Sequence, residues 1–336
     1  MRSALPAGHH LRRSVAFDPV PVPRILRRAL GALGLAVIVL TCTAAMSGPR
    51  AATASDGGGD STLTTPKAIV LGAVEGFTEY LPVSSTGHLL VVERLLDLGV
   101  GEDAAATDSY TIVIQLGAIL AVLGIYRRRF VLMGEGVLGR SAEGRTTLTA
   151  LVVAFIPAVV VAQLFGDTIK EELLEPWPVV IAWAAGSIAI FAFVAWGDRF
   201  RATTPSIGAM SVRQAAIIGV AQTLALWPGT SRSLVTILAA VAVGLDLVAA
   251  VEFSFLLGFV TLSAATAYEL LTNGSEIYDM FGLWQPLIGI VVAGICAFAS
   301  VKWMVTYLQR HSLAIFGWYR LAAGAATAVL LVTGVI

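Results

Sequence analysis

Two glutamates lie four positions apart in an apolar stretch and are candidates for a functional pair. Glu75 and Glu79 lie in AIVLGAVEGFTEYLP, and on a helix this spacing places both carboxylates on one face. A carboxylate inside an apolar membrane segment is energetically costly, so a functional role is the default interpretation. The pair could bind a divalent metal ion through oxygen ligands or act as an acid and a base. The structural alternative is an interfacial helix with both groups in water.

After Pro82 the sequence continues VSSTGH, which adds three hydroxyl groups and an imidazole. Ser84, Ser85 and Thr86 stand where backbone N–H groups are free, and a helix N-terminus of this kind binds phosphate oxygens well. His88 lies three residues after Ser85, where it could move protons or act as the base for a hydroxyl nucleophile. The sequence leaves open that the hydroxyls only cap a helix and that the histidine is structural.

A second polar motif, PGTSRS, interrupts another apolar stretch and supplies a cation. Arg232 in a membrane-embedded turn is costly unless it meets an anion, and its planar guanidinium suits a phosphate or a carboxylate. Ser231 and Ser233 could add hydroxyl donors. The alternative is an ion pair of Arg232 with Glu75 or Glu79. Carboxylates, a hydroxyl, an imidazole and an arginine beside an apolar phase favour phosphoryl transfer from a lipid.

The elements that hold these residues must be membrane helices, because the composition excludes ordinary soluble domains. Hydrophobic residues make up 57% of the 336 and charged residues 13%, and the latter is about half the usual share in a globular chain. The formal net charge is zero, with 22 Lys+Arg against 22 Asp+Glu, so nucleic-acid binding is not expected. Two distant cysteines, Cys42 and Cys296, exclude a disulfide framework and a cysteine metal site.

Six apolar segments approach or exceed the roughly 20 residues that a helix needs to span a bilayer. They are about 108–126, 147–166, 177–196, 247–271, 284–307 and 314–335. Two further apolar segments, about 66–98 and 211–246, are broken by Pro, Gly and polar residues, so they are predicted to form re-entrant helical hairpins buried in protein. The expected fold is an all-α integral membrane protein with six transmembrane helices and two re-entrant hairpins.

The two broken segments also resemble each other, and each precedes three spans. Glu75 aligns with Gln222 and, after a one-residue gap, Pro82 aligns with Pro228. An inverted-topology repeat is therefore predicted, with a first unit at about 66–200, a second at about 211–336 and a site near the membrane midplane. Basic and acidic connections alternate, which predicts that the first hairpin enters from outside and the second from the cytoplasm.

The first 65 residues form a predicted N-terminal extension, distinct from the membrane domain at 66–336. Six arginines precede an apolar stretch at 29–46, and a Gly/Ser/Ala/Asp segment follows it. This pattern is typical of a secretory signal peptide, and a retained signal anchor fits it nearly as well. Either one leaves the Arg-rich end in the cytoplasm and starts the chain outside from about residue 55.

Several of these segments resemble a known family. VEGFTEYLPVSSTGH and LALWPGTSRS are similar to the signature segments of undecaprenyl-diphosphate phosphatase, the bacitracin-resistance protein family, and DSYTIVIQLGAILAV and EFSFLLGF resemble its other shared stretches. The resemblance covers about 66–336. It implies hydrolysis of undecaprenyl diphosphate to the monophosphate, which recycles the lipid carrier of peptidoglycan synthesis and confers bacitracin resistance. A polyprenyl-phosphate flippase that uses the same inverted repeat is the alternative function.

The resemblance also carries roles onto individual residues. Glu75 and Glu79 match the family's paired glutamates, Ser85 and His88 its serine and histidine, and Arg232 its arginine. It further implies a divalent cation (Mg²⁺ or Ca²⁺), a polyprenyl diphosphate lipid as substrate and a homodimer. The expected location is the bacterial plasma membrane, as a multi-pass protein with its active site on the extracytoplasmic side.

The expected mechanism divides the work among these residues. The phosphate-binding set is Arg232, Ser84, Thr86, Ser231 and Ser233. Glu75 and Glu79 hold the metal, or Glu79 acts as a base. Ser85 attacks the terminal phosphorus while His88 moves protons or orients the phosphate. The rival mechanism uses a water activated by Glu79 or His88, and Ser85 then only binds the substrate.

Overall fold

The computed structural model describes residues 63–99, 104–200 and 202–336, and the predicted signal or anchor segment at 29–46 lies outside them. Within these ranges the chain is helical, and the strand pairing found there is one isolated bridge between Thr204 and Leu245. The helices are α1 Thr65–Thr78, α2 Ser85–Leu95, α3 Ala104–Ile125, α4 Arg127–Val137, α5 Ala142–Leu173, α6 Pro176–Ala195, α7 Val212–Gln222, α8 Arg232–Ala242, α9 Leu247–Phe281, α10 Trp284–Leu308 and α11 Ala314–Val332.

Six of these helices, α3, α5, α6, α9, α10 and α11, are long and apolar enough to cross a membrane. They coincide with the six predicted segments, so the prediction of an all-helical multi-pass membrane protein is confirmed. Helix α9 runs about ten residues past its predicted end near residue 271. The polar sequence there stays helical because Ile277 and Phe281 are buried against Tyr110 and its neighbours. The helix ends at Gly282, whose φ of 66° suits glycine.

The two broken segments form pairs of short helices, α1–α2 and α7–α8. Helix α1 has 14 residues and the other three have 11 each. At about 1.5 Å per residue none of them reaches the roughly 30 Å of a bilayer core. The helical pairs thus agree with the prediction of hairpins in length. Their re-entrant path through the membrane and the inverted repeat stay predictions.

The tips of the two hairpins share a backbone conformation. Ser84 caps α2 and Ser231 caps α8, and both have φ of 75°, with ψ of 105° and 110°. Each serine side chain accepts a hydrogen bond from the backbone N–H three residues later. Positive φ is strained for a residue with a side chain, and both tips hold a capping serine in this conformation. Ser85 and Arg232 each follow the capping serine directly, whereas the predicted alignment of the prolines would pair Ser85 with Ser231.

Close helix packing holds the first hairpin in place. Gly76 of α1 lies against Ala293 and Cys296 of α10, where a Cβ would collide with backbone. The hydroxyl of Ser300 donates to the carbonyl of Gly76 over 3.0 Å. On α2, Gly87 packs against a tryptophan of α6. The site-bearing helices are thus enclosed by transmembrane helices on both sides.

Candidate active site

Glu79 connects the two hairpin tips. Its Oε1 accepts a hydrogen bond from Nη2 of Arg232 over 2.7 Å, and its Oε2 accepts a hydrogen bond from the hydroxyl of Ser85. The Glu79 and Arg232 side chains are 6% and 13% exposed, so this ion pair is largely shielded from water. Three of the predicted site residues, from two segments about 150 positions apart, therefore meet at one point.

The guanidinium of Arg232 is held by neighbours that are not among the predicted site residues. It lies 5.6 Å from the ring centre of Tyr80, and its Nη1 is 3.5 Å from the carbonyl oxygen of Ser254. Gly258 of α9 lies directly beneath it, and a Cβ there would overlap the guanidinium. Gly258 could have been identified from the sequence by its position in EFSFLLGF, one of the stretches that resemble the family.

Glu75 is fully buried one helical turn before Glu79, and neither of its carboxylate oxygens has a hydrogen-bond partner among the described residues. Gln222, which aligns with Glu75, is also buried, and its side-chain oxygen and nitrogen lack partners in the same part of the chain. Buried polar groups are normally satisfied, so an unpaired carboxylate at a site calls for a ligand, an ion or water.

The donor set fits a hard divalent cation. Glu75, Glu79 and Ser85 offer oxygen ligands only, which Mg²⁺ and Ca²⁺ prefer. In the described ranges no group of three or more His, Cys, Asp or Glu side chains surrounds a common point. A cation here would therefore complete its coordination with water and substrate phosphate, as Mg²⁺ commonly does.

His88 is held away from the Glu79 contacts. Its Nδ1 lies 2.6 Å from the carbonyl oxygen of Ser84, and its Nε2 lies 2.9 Å from the hydroxyl of Tyr319. A carbonyl only accepts, so Nδ1 carries the hydrogen, and in the neutral ring Nε2 accepts from Tyr319. These bonds anchor the strained turn at Ser84. The proton-transfer role of His88 stays a prediction, since its hydrogen bonds go to Ser84 and Tyr319 rather than to Ser85.

The hydroxyl groups predicted to bind phosphate divide into two kinds. Ser231 and Ser233 both lie within hydrogen-bonding distance of the Leu81 carbonyl, at 3.5 and 2.8 Å, so they join the second tip to the first. Thr86 is exposed in the first turn of α2 and is open to a ligand. The free N–H groups at the start of α2 and α8 add to the positive potential of Arg232.

The chain also matches the model of one known protein family over most of its length. The model of the family described as Bacitracin resistance protein BacA matches residues 68–326. The chain belongs to this family.

Curated relatives of this BacA-family chain carry one activity in their names. The chain is 43% identical over 261 residues to Undecaprenyl-diphosphatase 2 of Rhodospirillum rubrum, and the match covers 77% of this chain and 92% of the relative. It is 40% identical over 264 residues to Undecaprenyl-diphosphatase of Sorangium cellulosum, covering 77% and 83%. It is 40% identical over 271 residues to Undecaprenyl-diphosphatase of Bradyrhizobium diazoefficiens, covering 80% and 98%.

The BacA-family site thus has the parts for attack on a phosphorus atom. Ser85 provides a hydroxyl that donates a hydrogen bond to Oε2 of Glu79. Arg232 and the helix N-termini supply positive potential, and Glu75 supplies a free carboxylate. An in-line displacement on an anionic phosphate needs these groups: a nucleophile, a base and charge stabilisation.

Proposed function

We propose that the protein is a membrane phosphatase that hydrolyses undecaprenyl diphosphate to undecaprenyl phosphate and inorganic phosphate. The observation that carries this proposal is the carboxylate of Glu79, which is shared between the guanidinium of Arg232 and the hydroxyl of Ser85. The names of relatives at 40 to 43% identity support the same substrate. The reaction would return the lipid carrier to cell-wall synthesis and confer resistance to bacitracin.

The geometry favours Ser85 as the nucleophile. Its oxygen attacks the terminal phosphorus, its proton passes to Glu79, and the bond from that phosphorus to the bridging oxygen breaks. Undecaprenyl phosphate leaves, and a water molecule then attacks the phosphorus of the phosphoserine. The bond to the Ser85 oxygen breaks, Glu79 returns the proton to that oxygen, and inorganic phosphate is released while the proton lost by the water passes to solvent. Arg232 holds the phosphate oxygens as charge develops on them. In the rival mechanism water attacks directly and Ser85 only binds, so no phosphoserine forms.

The divalent cation is part of the proposal. Glu75 and Glu79 are the residues that would hold Mg²⁺ or Ca²⁺, because Glu75 is buried with unpaired oxygens next to the reacting groups. When bound, the ion would neutralise negative charge on the diphosphate. Glu75 would provide the ion with a second carboxylate, in addition to that of Glu79, which also contacts Arg232 and Ser85.

We place the site on the extracytoplasmic side of the bacterial plasma membrane, between two re-entrant hairpins of an inverted repeat. The charge alternation of the connections supports the sidedness, and the matching conformations of Ser84 and Ser231 support the repeat. The domain at 66–336 would carry the whole activity. We also propose a homodimer, which the molar mass of the purified protein in detergent, by light scattering, would test.

Phosphate release from a polyprenyl diphosphate tests the proposal. Purified protein in detergent is expected to release inorganic phosphate, and a chelator is expected to stop it. Glu79→Ala should be inactive, whereas Glu135→Ala, at an exposed position of α4, should match the wild type. A pure flippase would release no phosphate under these conditions, so a silent wild type with added Mg²⁺ or Ca²⁺ would refute the phosphatase.

A further inference from the structure

Arg320 is a buried charge inside a membrane span. It lies on α11, its exposed fraction is 0%, and its hydrogen bonds go to backbone carbonyls. The bonds run from Nε to Trp183 at 3.4 Å, from Nη1 to Pro82 at 3.4 Å, and from Nη2 to Ala182 at 2.8 Å and Gly229 at 3.0 Å. No carboxylate forms an ion pair with it in the described ranges.

Two of these four carbonyls, those of Pro82 and Gly229, belong to the hairpin tips, one to each tip. Pro82 stands two residues before the capping Ser84, and Gly229 stands two residues before the capping Ser231. One planar guanidinium with five donors therefore joins matching points of the two tips and ties them to α6. A lysine ammonium has three donors and no fixed plane, so it cannot hold all of these carbonyls at once.

The surrounding chain leaves room for this guanidinium. Gly186 of α6 lies against it, and a Cβ on Gly186 would overlap its atoms. Gly229 has φ of 89°, a conformation that glycine adopts freely and other residues adopt at a cost. Both glycines are thus placed so that the tip carbonyl and the guanidinium can meet.

The charge of Arg320 has a second consequence. A buried ion that faces only carbonyl dipoles keeps a positive field, and an intramembrane charge of this kind calls for a function. Its field acts immediately behind the two tips, at Pro82 and Gly229. The proposed diphosphate would bind at the same two tips, so the field would favour its binding and the charge that develops during transfer.

We propose that Arg320 is a positioning residue that holds the two hairpin tips in register and adds a fixed positive charge behind the diphosphate. The inference rests on the proposed phosphatase function. It assigns Arg320 no contact with the reacting atoms. It predicts separate effects from the loss of charge and the loss of hydrogen bonds.

Three substitutions separate these effects in steady-state phosphate release from a polyprenyl diphosphate. Arg320→Lys keeps the charge with fewer donors and should lower kcat by about tenfold with little change in KM. Arg320→Gln keeps two donors without the charge and should also raise KM by about tenfold. Arg320→Met should lower kcat/KM by at least about a hundredfold. Arg310→Met, at an exposed arginine, is the matched control and should keep wild-type kinetics.

Gly186→Ala tests the same contact without changing the arginine. It should displace the guanidinium and lower kcat/KM by about tenfold in the wild type, but by less than about twofold in Arg320→Met. If Arg320→Met does not elute as a folded protein, the comparison uses Arg320→Lys, in which the smaller head group should again reduce the effect of Gly186→Ala.

The results that would overturn the inference are distinct from those that would overturn the phosphatase. Wild-type kcat and KM in the Arg320 variants, or an equal loss from Gly186→Ala in every background, would contradict the positioning role. Equal KM values in Arg320→Lys and Arg320→Gln would contradict the charge effect. Absence of phosphate release by the wild type would instead refute the proposed function.

Discussion

Arg232 and Glu79 form an ion pair of 2.7 Å that joins two hairpins across 153 positions of sequence. The sequence left open whether Arg232 binds substrate phosphate or pairs with a glutamate. The structure shows the pair with Glu79, which uses one nitrogen of a group that has five N–H donors. The two interpretations are therefore compatible, because the remaining donors can face an anion while Glu79 fixes the orientation of the guanidinium.

Replacing Glu79 with glutamine is expected to lower kcat/KM for phosphate release by at least about a hundredfold. The amide cannot take a proton from Ser85, and it leaves the partly buried Arg232 without its counter-charge. Glu135→Gln, exposed on α4, is the matched control and should stay within about twofold of the wild type. Wild-type kinetics in Glu79→Gln would rule out Glu79 as the base.

Ser85→Ala separates the covalent mechanism from direct attack by water. If Ser85 is the nucleophile, the variant should lose at least about a thousandfold in kcat. Acid quenching of the wild type with substrate labelled in the terminal phosphate should then trap label on a peptide that contains Ser85. Full turnover by Ser85→Ala would exclude the covalent route, and a loss of activity without any trapped label would favour water.

Gly258→Ala tests whether the position of Arg232 matters for catalysis. The added methyl group would overlap the guanidinium, so the arginine must move away from Glu79. We expect kcat/KM to fall by about tenfold to a hundredfold, in line with small misplacements of a binding group. Gly274→Ala, on the same helix α9 with open space around its Cβ position, is the control. Equal activity of the two variants would contradict the prediction.

The sequence predicted the helical class and the six spans because long apolar segments leave few alternatives for a backbone in lipid. It also selected Glu79, Ser85 and Arg232, since charged and hydroxyl side chains inside apolar segments are conspicuous. It underestimated α9, whose polar end is held by tertiary packing of Ile277 and Phe281 that no local pattern encodes.

The partners of the site residues could not be predicted in the same way. Tyr319 reaches His88 across 231 positions, and that contact depends on how two helices pack. Gly258 carries no chemical group, so its position in EFSFLLGF indicates the family, and the contact with the guanidinium of Arg232 shows its role. Arg320 did have a signal, because it is an arginine inside the apolar segment at 314–335, and the rule that selected Arg232 applies to it equally.

A second ion-pair group, away from the hairpin tips, is expected to affect stability. Arg129 of α4 donates to both carboxylate oxygens of Glu252 over 2.5 and 3.1 Å and to Glu143 over 2.5 Å. The side chains of Arg129 and Glu252 are each 17% exposed. We expect Arg129→Met to reduce stability by about 1–3 kcal/mol, seen as a lower thermal unfolding midpoint in detergent.

Arg128→Met, at an exposed neighbour on the same helix, controls for the general loss of a positive charge. Its unfolding midpoint should stay close to that of the wild type, since surface substitutions usually change stability by less than about 0.5 kcal/mol. Equal midpoints for Arg128→Met and Arg129→Met would show that the ion pairs with Glu252 and Glu143 contribute nothing measurable.

Glu75→Gln should weaken the response to divalent cations more than it affects the fold. Glu75 is buried with both oxygens unpaired, so a neutral amide of the same size removes a metal ligand without breaking a hydrogen bond found in the described part of the chain. After removal of metal with a chelator, titration with Mg²⁺ or Ca²⁺ should restore phosphate release in the wild type. In Glu75→Gln the half-maximal concentration of the cation should rise by at least about tenfold, because one of two charged ligands is lost.

The double variant Glu75→Gln with Gln222→Glu is the control, because it restores the number of carboxylates but places the new one at the aligned position. If the ion binds beside Glu79, this variant should not recover the wild-type response to the cation. An unchanged titration in Glu75→Gln would remove Glu75 from the metal site and leave its buried carboxylate as an acid–base group.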